Sequence, residues 1–161
     1  MLPHDYKDFV EEAKNQKYSK TYIMKPEDSC QGKGIYLSRN WEQIKPNDQI
    51  VIQKYLQKPH LIDGFKYDLR LYVFINGINP LRIYIYKDGL ARFATEKYKQ
   101  PNEKNIDNLF MHLTNYAINK DSENYIDTTE MNGRTYGSKR SYKTILAILE
   151  EEHGAAAVDK L

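Results

Sequence analysis

The sequence predicts an α+β domain with mostly antiparallel sheet and flanking helices, and three observations lead to it. Short β-branched and aromatic runs bounded by Gly, Pro, Asn and Asp recur between Thr21 and Ala94. Sustained apolar spacing of the helical kind occurs only near the two ends of the chain. The 161 residues are 40% hydrophobic and 12% aromatic, enough to fill one core and short for two. No apolar run reaches the roughly 20 residues of a bilayer span, and the opening residues carry no signal-like apolar stretch, so neither membrane insertion nor secretion is expected. The 24 basic and 22 acidic residues nearly cancel, which argues against the general basic excess of a nucleic-acid binder. One cysteine, Cys30, has no internal disulfide partner, and a reducing cytoplasm suits it.

From Asp5 to Lys17, Tyr6, Phe9, Val10 and Ala13 recur at helical spacing, with Asp5 as the N-cap. Thr21 to Met24 and Gly34 to Leu37 predict two strands joined by a polar, glycine-containing loop. Gln49 to Tyr55 predicts a third strand, stopped before Pro59. Tyr67 to Ile75, Leu81 to Tyr86 and Leu90 to Ala94 predict a three-stranded meander, with turns at Asn76-Gly77, Asn79-Pro80 and Lys87-Asp88-Gly89. A short helix is expected around Ile106 to Phe110. A longer one is expected from Ser138 to Glu152, where Tyr142, Ile145, Leu146 and Leu149 share a face, Ser138 or Ser141 caps the start and Gly154 ends it.

Several of these elements carry groups suited to phosphate chemistry. Lys25 closes a strand, and Gln31-Gly32-Lys33-Gly34 follows on the loop. Glycines let backbone N–H groups approach an anion without Cβ obstruction, while lysine supplies charge. Neither a P-loop nor a Gly-x-Gly-x-x-Gly pattern is present, and an ordinary hairpin turn answers to the same residues. Gln53-Lys54-Tyr55-Leu56 ends its strand with groups that could face a flat heterocycle, or with nothing more than a surface lysine. Lys66, Asp68 and Arg70 alternate, so a strand puts all three on one face and Tyr67, Leu69 and Leu71 on the other. Such a row lines a polyphosphate cleft or a solvated sheet face. In His112-Leu113-Thr114-Asn115-Tyr116, a packed histidine is the better reading than a base, and Thr114 and Asn115 read as neutral hydrogen-bonders. His4, His60 and His153 have no metal-ligand spacing.

Taken in order, Tyr22-Ile23-Met24-Lys25-Pro26, Gln31-Gly32-Lys33-Gly34-Ile35, Val51-Ile52-Gln53-Lys54-Tyr55-Leu56, Lys66-Tyr67-Asp68-Leu69-Arg70, Gly89-Leu90-Ala91-Arg92-Phe93-Ala94 and His112-Leu113-Thr114-Asn115-Tyr116 resemble the tubulin tyrosine ligase-like family. The resemblance runs from about Lys20 to the C-terminus, and Leu61-Ile62-Asp63-Gly64 with Pro80-Leu81-Arg82 is most similar to the polyglutamylase branch. It implies an ATP-grasp-like fold, with residues 1–161 forming the central part of the ligase domain. It also implies ATP-dependent ligation of free glutamate to glutamate side chains of tubulin C-terminal tails through an acyl phosphate.

By that resemblance Lys25 contacts the phosphates and Gln31 and Gly32 belong to the loop above them. Gln53, Lys54, Tyr55 and Leu56 form the adenine hinge, Lys66, Tyr67 and Asp68 complete the nucleotide site, and Thr114 and Asn115 lie beside the phosphates. Arg70 matches an acceptor-peptide contact, and Arg92, Tyr116, Ser138 and Lys139 match positions that handle the incoming amino acid or acyl phosphate. Arg92 and Lys25 would stabilise charge on the phosphoryl oxygens together with Mg²⁺.

The family's Mg²⁺ ligands are a downstream Asp and a Glu-x-Asn element, expected outside this chain; Glu103-Lys104-Asn105 and Glu123-Asn124 lie upstream in loop-like sequence and are not substitutes. The N-terminal lobe is expected to be shortened to one helix and the C-terminal metal-binding part to be missing. A second reading is therefore a catalytically incomplete module that binds ATP, tubulin or the axoneme. The implied partners are tubulin tails and microtubules, with no nucleic acid and no membrane. The implied location is the cytoplasmic cytoskeleton, with the cilium axoneme or basal body as a finer expectation.

Overall fold

The computed structural model describes residues 4–15 and 20–159. Helix α1 (Tyr6–Asn15) starts one residue after Asp5, and its expected continuation to Lys17 lies outside the described residues. Strands β1 (Tyr22–Pro26), β2 (Tyr36–Ser38) and β3 (Ile50–Lys54) stand close to the three strands that the sequence predicts, and the structure joins them in an antiparallel sheet in the order β2-β1-β3. Alternation divides its two faces. Tyr22, Met24 and Ile50 pack with Ile44 against Tyr6 and Phe9 of α1, where the Phe9 and Tyr22 rings meet edge-on at 5.4 Å. Ile23 and Leu37 point the other way, and so do Lys25 and Gln53.

The second sheet runs β4 (Leu61–Ile62), β5 (Phe65–Ile78), β6 (Leu81–Phe93) and, much later in the chain, β9 (Lys139–Ser141). Between β6 and β9 lie two short helices, α2 (Leu109–His112) and α3 (Tyr116–Asn119), and a small ribbon of β7 (Thr129–Met131) and β8 (Arg134–Tyr136). Helix α4 (Tyr142–His153) and the short α5 (Ala155–Val158) follow. The core of this half joins Ile62, Ala91 and Phe93 to Ile145 and Leu149, with Tyr67 and Leu69 packed around them. Period-two alternation along β5 thus gives one face to α4 and leaves the other for the cleft.

Three expectations need correction. The meander is a single long hairpin, because β6 continues through Lys87-Asp88-Gly89 instead of turning there. Leu71 pairs with Gly89 and Val73 with Ile85, so β6 takes up extra residues in a bulge. Gly89 sits so close to β5 that a Cβ would lie 2.6 Å from the Arg70 carbonyl oxygen. The third strand comes instead from residues 139–141, which the sequence assigns to a helix. Helix α4 accordingly starts later, capped by Ser141, whose Oγ accepts the Thr144 N–H at 3.2 Å. The Ser138 carbonyl instead accepts the Phe93 N–H at 2.9 Å. The helix expected around Ile106 to Phe110 is displaced to Leu109–His112.

Beyond the bulge the hairpin leaves the core, and Val73, Phe74, Ile75, Ile83, Tyr84 and Ile85 are exposed from both strands. Burial separates two isoleucines, Ile145 of α4 in the core and Ile85 of β6 outside it. Ile145→Ala, at a fully buried position, should cost about 2–5 kcal/mol of unfolding free energy. Ile85→Ala, 67% exposed, should stay within about 0.5 kcal/mol. Urea midpoints of the two variants measure the difference, and equal losses would contradict this placement of the core.

Candidate nucleotide and acyl-transfer cleft

The cleft is assembled by register. Asp68 on β5 pairs with Arg92 on β6, and Arg92 pairs with Lys139 on β9. Directly paired residues of antiparallel strands share a face, so these three charges form one row across three strands. Arg92 grips Asp68 with both arms of its guanidinium, Nε to Oδ1 at 3.1 Å and the terminal nitrogen to Oδ2 at 2.6 Å. Asp68 holds the Arg92 guanidinium even more firmly charged than usual. The Lys139 ammonium lies 4.6 Å from the centre of the Tyr116 ring.

The loop between β1 and β2 meets this row from the other half. Gln31 and Gly32 both have left-handed backbone, with φ of 60° and 89°. Any Cβ on Gly32 would lie 2.8 Å from Ile118 Cδ1 and 2.9 Å from Asn115 Cγ, so glycine is required for the loop to lie down on α3. Gln31, Arg92, Asn115, Tyr116, Ala117 and Lys120 enclose a cavity of about 250 Å³. Lys120 was not singled out by the sequence, where it reads as one surface lysine among many.

Lys25 and Gln53 extend from adjacent strands, the Lys25 Nζ donating to Gln53 Oε1 at 2.7 Å. Lys66 lies deeper. Its Nζ donates to the His112 carbonyl at 2.6 Å and to the Tyr55 hydroxyl at 3.1 Å, and it sits over the Tyr55 ring. Burial brings its pKa down to about 8, opposed by the Asp68 charge and assisted by the Lys25 charge. His112 is fully buried, and burial also lowers its pKa. Its Nε2–H donates to the Asn105 carbonyl at 3.0 Å, which leaves Nδ1 facing the Tyr55 hydroxyl at 3.3 Å. The packed reading of this histidine matches that placement.

Asn119 is a positioning residue that the sequence gives no reason to select. Buried in α3, its Oδ1 accepts from the Thr95 N–H and hydroxyl, at 2.9 and 3.0 Å. Its Nδ2 donates to the carbonyls of Leu113 and Asn115, at 2.9 and 3.1 Å. One amide therefore fixes the segment containing Thr114 and Asn115 against the end of β6.

Other residues of the sequence reading are placed elsewhere. Tyr67 points to the α4 face, stacked on Phe93 at 5.4 Å. Lys54 is on the α1 face of its sheet, paired with Glu12. Leu56 is exposed. The Ser138 hydroxyl accepts the Ile126 N–H at 3.0 Å and is thereby committed to the loop. Arg70 shares the Asp68 face but is exposed, with its guanidinium 5.8 Å from the Tyr72 ring centre.

Comparison with known proteins adds the context of this arrangement. A sequence model of the tubulin-tyrosine ligase family matches residues 1–161. The chain is 49% identical over 153 residues to a probable beta-tubulin polyglutamylase of Tetrahymena thermophila, covering 94% of this chain and 13% of that protein. It is 49% identical over 150 residues to tubulin polyglutamylase TTLL13 of Homo sapiens, covering 93% of this chain and 18% of that protein. Human tubulin polyglutamylase TTLL6 is 47% identical over 150 residues, with 93% and 16% covered. The chain thus spans less than one fifth of the length of these curated relatives.

The half-buried Lys66 makes a measurable prediction. With a pKa of about 8, Lys66 should react with an amine acylating reagent along a pH curve centred near 8, well below the roughly 10.4 of an unperturbed lysine side chain. Between pH 8 and 10.5 the unfolded chain holds the proton more tightly than the folded one, so unfolding free energy should rise with pH in that window. Peptide mass spectrometry of the labelled protein reads the first effect; a Lys66 midpoint no lower than those of other lysines would contradict it.

Proposed function

The chain belongs to the tubulin-tyrosine ligase family, and from that premise we propose that it supplies the nucleotide and acyl-handling residues of a tubulin polyglutamylase with an ATP-grasp-like fold. The observation that carries this reading is Arg92, which lines one cavity with Gln31, Asn115 and Tyr116 and is flanked in register by Asp68 and Lys139. The polyglutamylase relatives support the substrate class. ATP supplies the activating phosphoryl group, and a tubulin-tail glutamate and free glutamate are the groups to be joined.

The residues present fit a polyphosphate. Lys25, Lys66 and Arg92 bring positive charge from three strands, and the Gly32 loop lies against Asn115. Lys25 would exchange its Gln53 contact for a phosphate oxygen. Lys66, half neutral near pH 8, would hold its proton more tightly once an anion arrives. Asp68 keeps the Arg92 fork in one orientation, so little reorganisation is needed when charge develops on the transferred group.

The tail carboxylate would attack the γ-phosphorus as the bond to the β-phosphate oxygen breaks, giving an acyl phosphate and ADP. The amino group of free glutamate would then attack the acyl carbon, losing a proton and expelling phosphate, to leave an isopeptide bond. Arg92 and Lys139 would neutralise oxygens in both steps. Both Asp68 oxygens are engaged by Arg92, so the described cluster offers Mg²⁺ no free carboxylate, and the roles assigned to these residues do not pass through the metal. Arg70, exposed beside the row, suits an acidic acceptor peptide, and the cytoskeleton is the corresponding location.

The test is glutamate incorporation into tubulin, followed by mass spectrometry of the tails, with a polyglutamylase that contains this span. Arg92→Ala should lower the rate by about 10²–10³-fold. Asp68→Asn should weaken ATP binding, measured by calorimetry. Arg70→Ala should raise KM for the tail and leave ATP affinity unchanged, with the tail interaction weakening as salt rises. Saturable tubulin binding without incorporation would replace the ligase reading with that of a binding module.

A further inference from the structure

Three side chains without metal-ligand spacing in the sequence converge on the far side of the molecule from the cleft. His60 precedes β4, and Glu152 and His153 end α4. His60 Nε2 lies 3.2 Å from His153 Nε2 and 3.4 Å from Glu152 Oε2, and His153 Nε2 lies 3.7 Å from the same carboxylate oxygen. Zinc held tetrahedrally at about 2.0–2.1 Å separates its ligand atoms by about 3.3–3.4 Å, the edge of that tetrahedron. The triangle of donor atoms therefore already has close to the dimensions of three corners of a zinc site.

We propose that His60, Glu152 and His153 bind a zinc ion, leaving the fourth position open to water. Two further features favour a cation here. His60 Nδ1 lies 3.1 Å from the Tyr67 hydroxyl, the second hydrogen bond that fixes the ring orientation of a ligating histidine. Glu152 and His153 occupy the last turn of α4, where the free carbonyls of the helix end attract positive charge. Without metal the same atoms form a histidine pair beside a carboxylate, one ring nitrogen donating to the other.

The site has a structural consequence for the cleft. Tyr67 lies between Lys66 and Asp68 in β5 and stacks on Phe93, the neighbour of Arg92. A metal bound to His60 and the end of α4 pins the helix to the back of the strand pair whose front carries the Asp68 and Arg92 contact.

The measurement is calorimetric titration of the full chain with zinc chloride alone, with cobalt(II) as a spectroscopic substitute that reports four-coordination through its visible absorption. One ion per chain is expected. His60→Gln and His153→Gln should each weaken it at least about tenfold, and Glu152→Gln should do so in either background. All three ligands are exposed, so circular dichroism should show each variant folded. Failure to bind one zinc ion overturns the proposal. So does an affinity unchanged by His60→Gln, which would place the ion on other donors such as Cys30 or His4.

Discussion

The alignment of β5, β6 and β9 is the constraint on which the cleft depends. Side chains alternate along a strand, so a slip of one residue would send Asp68 or Arg92 into the α4 core and bring Tyr67 or Phe93 out into water. The apolar face enforces the register that the charged face uses. Burial of Ala91, Phe93 and Ile145 is therefore a condition for the two-armed Arg92 to Asp68 contact, although none of the three touches the cavity.

A second layer of polar contacts ties the two sheets to this register. Tyr55 follows β3, Lys66 lies on β5, and His112 ends α2, yet the three meet in one hydrogen-bonded group. Buried polar groups of this kind are tolerable when each finds partners, and they then permit few alternative packings. Asn119 has the same function for α3. These groups are satisfied within the protein, while Arg92 and Lys120 line the cavity.

Much of this was legible in the sequence, for identifiable reasons. The first three strands and the sharing of one face by Lys66, Asp68 and Arg70 follow from local alternation. The family resemblance points to Arg92 and Lys139, but their pairing depends on residues 139–141 joining a sheet formed more than forty positions earlier. No local pattern encodes that contact, and the helical periodicity of the following segment obscured it. Lys87-Asp88-Gly89 carried turn chemistry and became a bulge because the partner strand continued past it. The meeting of His60 with His153 was equally hidden, since it is made by tertiary packing.

The outer half of the β5–β6 hairpin has its own colloidal consequence. Beyond the bulge, neither strand has another ladder neighbour among the described residues: β4 reaches β5 only at Phe65 and Lys66, and β9 reaches β6 only at residues 90–92. Two open edges and two greasy faces make this ribbon a template for a further strand. In a test tube, the concentration at which this span remains monodisperse is governed by Phe74, Ile75, Ile83 and Ile85 more than by its small net charge.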